Sequence, residues 1–131
     1  MSVLLANELM VSAKLAKEKP EAVKGLLRAI NKAMGEVLAN PDAAIGLLGR
    51  KEPLLNQAIE KQRLLYVTNT LIATPEAREL GVGDVKDARM AGSIDAIVAS
   101  FELPRKPALA DVFSRSFLPP KGERLLASAR N

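Results

Sequence analysis

The sequence predicts a mainly α-helical chain, and three observations carry that reading. Prolines divide the 131 residues into segments, and acidic residues follow Pro20, Pro41 and Pro75 directly. Apolar residues between the prolines recur at three- and four-residue spacings, the period of an amphipathic helix. Only a five-residue stretch near the N-terminus reads as a strand.

Taken in order, Ser-Val-Leu-Leu-Ala at residues 2–6 is too short for a helix and reads as a short buried strand. Asn7 is expected to cap a helix from about Glu8 to Glu18, with Leu9, Met10, Ala13 and Ala16 on one side. Pro20 suits a first helical position, where its fixed φ fits and its missing N–H costs nothing. Glu21 then favours the positive end of the helix dipole. Val23, Leu26, Leu27, Ile30, Met34, Val37 and Leu38 make the apolar face of a helix of about five turns. Asn40-Pro41 ends it and starts another bearing Ala44, Ile45, Leu47 and Leu48, which Gly49 is expected to close.

Pro53 is expected to open a longer helix with Leu54, Leu55, Ala58, Ile59, Leu65, Tyr66 and Ile72. Its end, Leu64 to Ala73, is expected to be deeply buried, with a strand as the alternative. Thr74-Pro75-Glu76 starts one short turn ending at Leu80-Gly81. Asp84 is expected to cap a helix from Val85 to about Phe101, with Ala88, Ile94, Ile97, Val98 and Phe101 inward. Residues 107–119 supply an apolar anchor through Val112, Phe113, Phe117 and Leu118. Pro119-Pro120 breaks it, and residues 120–131 form a basic tail. Residues 1–131 therefore read as a single domain, with helices over 8–102.

An internal echo matches Pro20-Glu-Ala-Val-Lys-Gly-Leu-Leu to Pro41-Asp-Ala-Ala-Ile-Gly-Leu-Leu at six of eight positions, Glu and Asp counted alike. No third copy follows, since Gln62 stands where its proline would fall. Two helices with the same N-terminal chemistry account for it; a helical-hairpin repeat is the alternative.

Composition removes most chemistry. There are no cysteines and no histidines, which excludes zinc-thiolate sites, cysteine nucleophiles and the commonest general base. Asp84 and Asp87 are three apart, yet cap and first-turn positions explain both. Gly81-Val82-Gly83 lacks the third glycine of a dinucleotide loop, since Lys86 takes its place, and reads as a turn. No catalytic residue, metal site or cofactor is expected, and the chain is not read as an enzyme.

The net charge is +4. Lys14, Lys17, Lys19, Lys24, Arg28 and Lys32 read as a solvated helix face, with a binding patch as the alternative. Aromatics are only 3%, too few for base stacking, so no nucleic-acid partner is expected. The longest uncharged stretch, Leu64 to Pro75, is too short for a spanning helix. The N-terminus shows no secretory signal, which leaves a cytosolic protein or a piece of a longer one.

The run Pro20-Glu-Ala-Val-Lys-Gly-Leu-Leu-Arg-Ala-Ile, followed by Val37-Leu-Ala-Asn-Pro-Asp-Ala-Ala, resembles the C-terminal half of periplasmic substrate-binding proteins of ABC importers. The resemblance extends to Glu76-Ala-Arg-Glu-Leu-Gly-Val-Gly and to Asp111-Val-Phe-Ser-Arg-Ser-Phe-Leu-Pro, in order over roughly residues 3–119. The nearest branch is the nitrate, sulfonate, taurine and thiamine-precursor group. The resemblance implies a helical fragment of a type II periplasmic-binding-protein α/β lobe, with residues 2–6 as the strand crossing between lobes. It implies a small anionic or heteroaromatic solute, a membrane permease as partner, and a periplasmic or cell-surface parent. Most ligand contacts would come from regions absent here; Asn7, at the end of the crossing strand, is the one candidate ligand-binding residue. A free-standing helical protein-interaction module is the alternative function. Apolar helix faces and the strand edge, left without partners, lead to the expectation of a homo-oligomer.

Overall fold

Pro20, Pro41 and Pro75 each stand first in the helix expected of them. A computed structural model describes residues 8–126. In it α1 is Ala13–Glu18, α2 Pro20–Ala39, α3 Pro41–Lys51, α4 Gln57–Val67, α5 Pro75–Leu80, α6 Asp87–Ser100, α7 Leu109–Val112 and α8 Lys121–Arg124. The expected strand at residues 2–6, Asn7 and the last five residues of the tail lie outside the described residues. No strand occurs among the described ones.

Local chemistry explains the boundaries. The side chain of Asn40 accepts from the Ala43 N–H at 3.0 Å, and that of Thr74 from the Ala77 N–H at 3.1 Å. Each satisfies one of the donors a helix start leaves open. The two echoing segments are α2 and α3, which share this proline start.

Several expected boundaries move. The first helix begins at Ala13, not Glu8, because Ser12 is its cap and accepts from the Leu15 N–H at 3.1 Å. Gly49 does not close α3, which runs to Lys51. A Cβ on the glycine would meet the side chain of Gln57. The next helix does not open at Pro53. Leu54 sits in the intervening turn, fully exposed, and Asn56 caps α4 by accepting from both the Ala58 and Ile59 N–H groups.

Residues Leu64 to Ile72 are helical and Ala73 ends the run, which removes the strand alternative. Thr68–Ile72 widens to a π-helical turn. There Thr68 Oγ1 donates toward the Leu64 and Leu65 carbonyls, and the Ala73 N–H reaches the Thr68 carbonyl at 2.7 Å. The segment is not deeply buried: Thr68 and Ala73 are, but Leu65, Tyr66 and Leu71 are exposed. Asp84 does not cap α6. That helix starts at Asp87, and Asp84 Oδ1 accepts from the neighbouring Val85 N–H instead.

Helices α1 to α4 pack as successive neighbours, α6 packs on α7, and α8 returns to α2. The core is small. Val85, Met90 and Ile94 cluster, with Val98, Leu109 and Phe113 against them. The inward face of α6 thus runs through Met90, Ser93, Ile94 and Val98. Ala88, Ile97 and Phe101 turn outward, Phe101 at 72% exposure, because the short α7 covers only one side of α6. Val23 and Ile45 are the buried apolar residues of α2 and α3. No large side chain among the described residues is completely enclosed.

Candidate functional site

Two features of the described residues bear on function: a lock of charges around the Gly81–Asp87 loop, and an open apolar face on α2 and α3. The lock begins with glycines. Gly81 has φ +89° and Gly83 φ +84°, backbone that other residues adopt only under strain. These two turns bring Asp84 toward the C-terminal segment. Arg115 Nε lies 2.7 Å from Asp84 Oδ1, and its Nη2 lies 2.7 Å from Asp87 Oδ1. The Arg115 guanidinium also donates to the Val85 carbonyl and stands 5.2 Å from the centre of the Phe113 ring. Its pKa is raised, chiefly by the Asp84 and Asp87 hydrogen bonds.

Arg124 closes the same loop from α8 and is buried. Its Nε donates to the Pro119 carbonyl at 2.7 Å, and its Nη1 to the Leu80 and Val82 carbonyls at 3.3 and 3.2 Å. Its carbonyl accepts from the Val82 N–H at 2.8 Å. Residues expected to form a simple basic tail therefore include the chain's most enclosed cation among those described. Glu76 is buried on the other side of the loop. It accepts from the Lys86 N–H at 3.0 Å and pairs with Arg89 at 2.5 Å. Burial pushes its pKa up, but these donors outweigh burial and hold the carboxyl below its ordinary 4.5.

Asp84 and Asp87 are therefore more than cap and first-turn residues: they converge on one guanidinium. Among the described residues no group of three or more acidic side chains is placed to hold a metal ion. The arrangement fastens the Gly81–Asp87 loop to the C-terminal segment.

The second feature is a groove of about 270 Å³ lined by Val37, Ala44, Ile45, Leu48, Leu64 and Val67. Its rim carries Glu60 and Arg63, paired with each other at 2.6 Å. A depression of about 470 Å³ adjoins it, where Ala33, Ala43 and Leu47 meet Glu36 and Asn40. These walls suit apolar packing. They place no uncommitted cation where an anionic solute would need one. Asn7 lies outside the described residues, so the structure brings nothing to it. Lys14, Lys17, Lys19 and Lys32 are exposed, while Lys24 pairs with Glu21 and Arg28 with Glu123.

Sequence reasoning missed Arg115, Arg124, Glu76 and Arg89. The only available signal was two acidic residues near the Gly81-Val82-Gly83 turn and arginines some 30 to 40 positions later, which does not specify pairing.

Comparison with known proteins gives one result. The family model described as NMT1/THI5 like matches residues 3–44. That span holds α1, α2 and the start of α3, and the match supports a likeness to a solute-binding family. No curated protein and no solved structure matches the chain. No helix among the described residues is long and apolar enough to cross a membrane.

Proposed function

We propose that this chain is the helical, C-terminal part of a solute-binding component of an ABC-type importer. The observation that carries the proposal is the NMT1/THI5-like match over residues 3–44. It covers the same Pro20 and Pro41 helix starts that suggest the resemblance. The open apolar faces of α2 and α3 support it, since helices that flank a sheet keep one face for that sheet. In the complete protein the solute lies between two lobes, closes them, and is delivered to a membrane permease in the periplasm or at the cell surface. The step is binding, with no bond made or broken. A small anionic or heteroaromatic solute, such as a sulfonate, nitrate or a thiamine precursor, is the proposed cargo, with Asn7 at the edge of the cleft.

A free-standing helical interaction module is the second reading. It is favoured by the way Arg115 and Arg124 close the C-terminal segment onto the chain itself. The coding sequence upstream of Met1 separates the two. An in-frame sheet-forming lobe behind a secretory signal is expected; a translation start at Met1 with no such lobe refutes the importer reading. Calorimetric titration of the 131 residues with taurine, nitrate or the thiamine pyrimidine is expected to be silent, because one wall of the cleft is lacking. Micromolar binding by this chain alone would overturn its status as a fragment.

A further inference from the structure

The open face of α2 is a single stripe. Ala22, Leu26, Ala29, Ile30, Ala33 and Val37 follow one another at spacings of four, three, one, three and four, which keeps them on one side of a helix. All are exposed except Val37, which is half-buried; Leu26 is 50% and Ile30 39% exposed. None is charged. Lys24, Arg28 and Lys32 lie about 110–170° round the helix from the centre of the stripe, counting 100° per residue.

We infer that this stripe seats a second copy of the chain, with α2 antiparallel to its copy about a two-fold axis between Ala29 and Ile30. A two-fold contact requires one patch to complement itself, and the stripe does so by size. About that midpoint Ala22 faces Val37, Leu26 faces Ala33, and Ala29 faces Ile30. Every pair sets a small residue against a larger one, so the helices interdigitate without crowding. No shift along the helix is needed to obtain this.

Charge agrees with the same register. Glu36 stands in the last two turns of α2, beside the stripe, where a negative charge is unfavourable to the helix dipole. Lys19 stands at the opposite end, in the cap position. Both are exposed, and neither joins an ion pair among the described residues. In the antiparallel pair Glu36 falls opposite Val23 of the copy, one helical turn from its Lys19. The symmetry makes two such pairs, while the Lys24–Lys32 rows point away from the axis. The area sets the strength. A helix of 20 residues is about 30 Å long, and one such pair buries less than the ~800 Å² per partner of a standard interface. The dimer is therefore weak and concentration-dependent.

The inference concerns the 131-residue chain and stands apart from the importer reading, which the upstream coding sequence tests. Sedimentation or light scattering from low to high micromolar protein is expected to show a rise from 14.0 kDa toward twice that mass. Ala29→Glu places two like charges beside the axis and is expected to weaken association by at least about tenfold, with the helical circular dichroism unchanged. Lys19→Glu is expected to weaken it less, and adding Glu36→Lys to restore it. A chain that stays at 14.0 kDa throughout overturns the inference and leaves the stripe to a different partner. So does a dimer indifferent to Ala29→Glu, and failure of the charge swap to rescue overturns the antiparallel register.

Discussion

Replacing Arg124 by Met tests whether the charged lock holds the C-terminal segment in place. Methionine keeps the length and apolar stem of the side chain but removes every donor. Three carbonyls, of Pro119, Leu80 and Val82, lose their partner inside the fold, and Asp84 loses the second cation near it, 3.6 Å away. An unsatisfied buried acceptor costs about 1–3 kcal/mol. Two of the three bonds are longer than 3.1 Å, so the low end applies, giving about 3 kcal/mol in all. That agrees with the 3–5 kcal/mol expected when a buried charge partner is removed. For a chain of 131 residues it lowers the melting temperature by roughly 10 °C. Lysine is not a substitute, because a single ammonium cannot reach carbonyls on both sides of the guanidinium fork. The assay is urea unfolding followed by circular dichroism, with Arg28→Ala as the comparison. Arg28 pairs with Glu123 at 2.8 Å, but both side chains are well exposed, so its loss is expected to cost less than about 1 kcal/mol. If Arg124→Met costs no more than Arg28→Ala, the lock is not what fixes the C-terminal segment.

Two further outcomes follow from the same loop. Gly81 has φ +89° and ψ 152°, and an added Cβ would lie 2.9 Å from Arg124 Cβ. Gly81→Ala is therefore expected to destabilise by about 1–3 kcal/mol, measured by the same unfolding titration; a neutral effect would contradict the backbone geometry. Glu76 has a folded pKa below its ordinary 4.5, so the stability it adds is fully present above that value. It is lost as the pH falls through the lowered folded value. The advantage of the wild type over Glu76→Gln is thus expected to be constant at neutral pH and to shrink below pH 4.5. A difference that does not change on acidification would show that the carboxylate charge is not used.

Helix starts were legible in the sequence because they are decided within four residues. Pro20, Pro41 and Pro75 fix their own φ, Asn40 and Thr74 reach the next N–H groups, and Gly81 takes the φ its turn needs. The same locality explains the errors. Asn7, Pro53 and Asp84 carry the right chemistry for a start, yet Ser12, Asn56 and Lys86 stand at the observed ones. Several residues in each stretch were competent, and nothing local in the sequence ranks them. The candidate ligand residue, Asn7, rested on resemblance alone and lies outside the described residues.

What the sequence determined by itself is therefore the helical character, the helix starts at Pro20, Pro41 and Pro75, and the absence of histidine and cysteine chemistry. Only the tertiary structure decided which faces are covered. The period of α6 fits both Ile94 with Val98 and Ile97 with Phe101 as an inward set, and α7 settles the matter by packing on one side. Only the tertiary structure pairs Asp84 with Arg115, 31 positions on, or encloses Arg124 among carbonyls more than 40 residues earlier. The physical reason is range. A cap or a proline acts through bonds that the chain itself holds in place. An ion pair between distant residues forms only after the backbone has turned, and a charge in a sequence carries no mark of the partner it will meet.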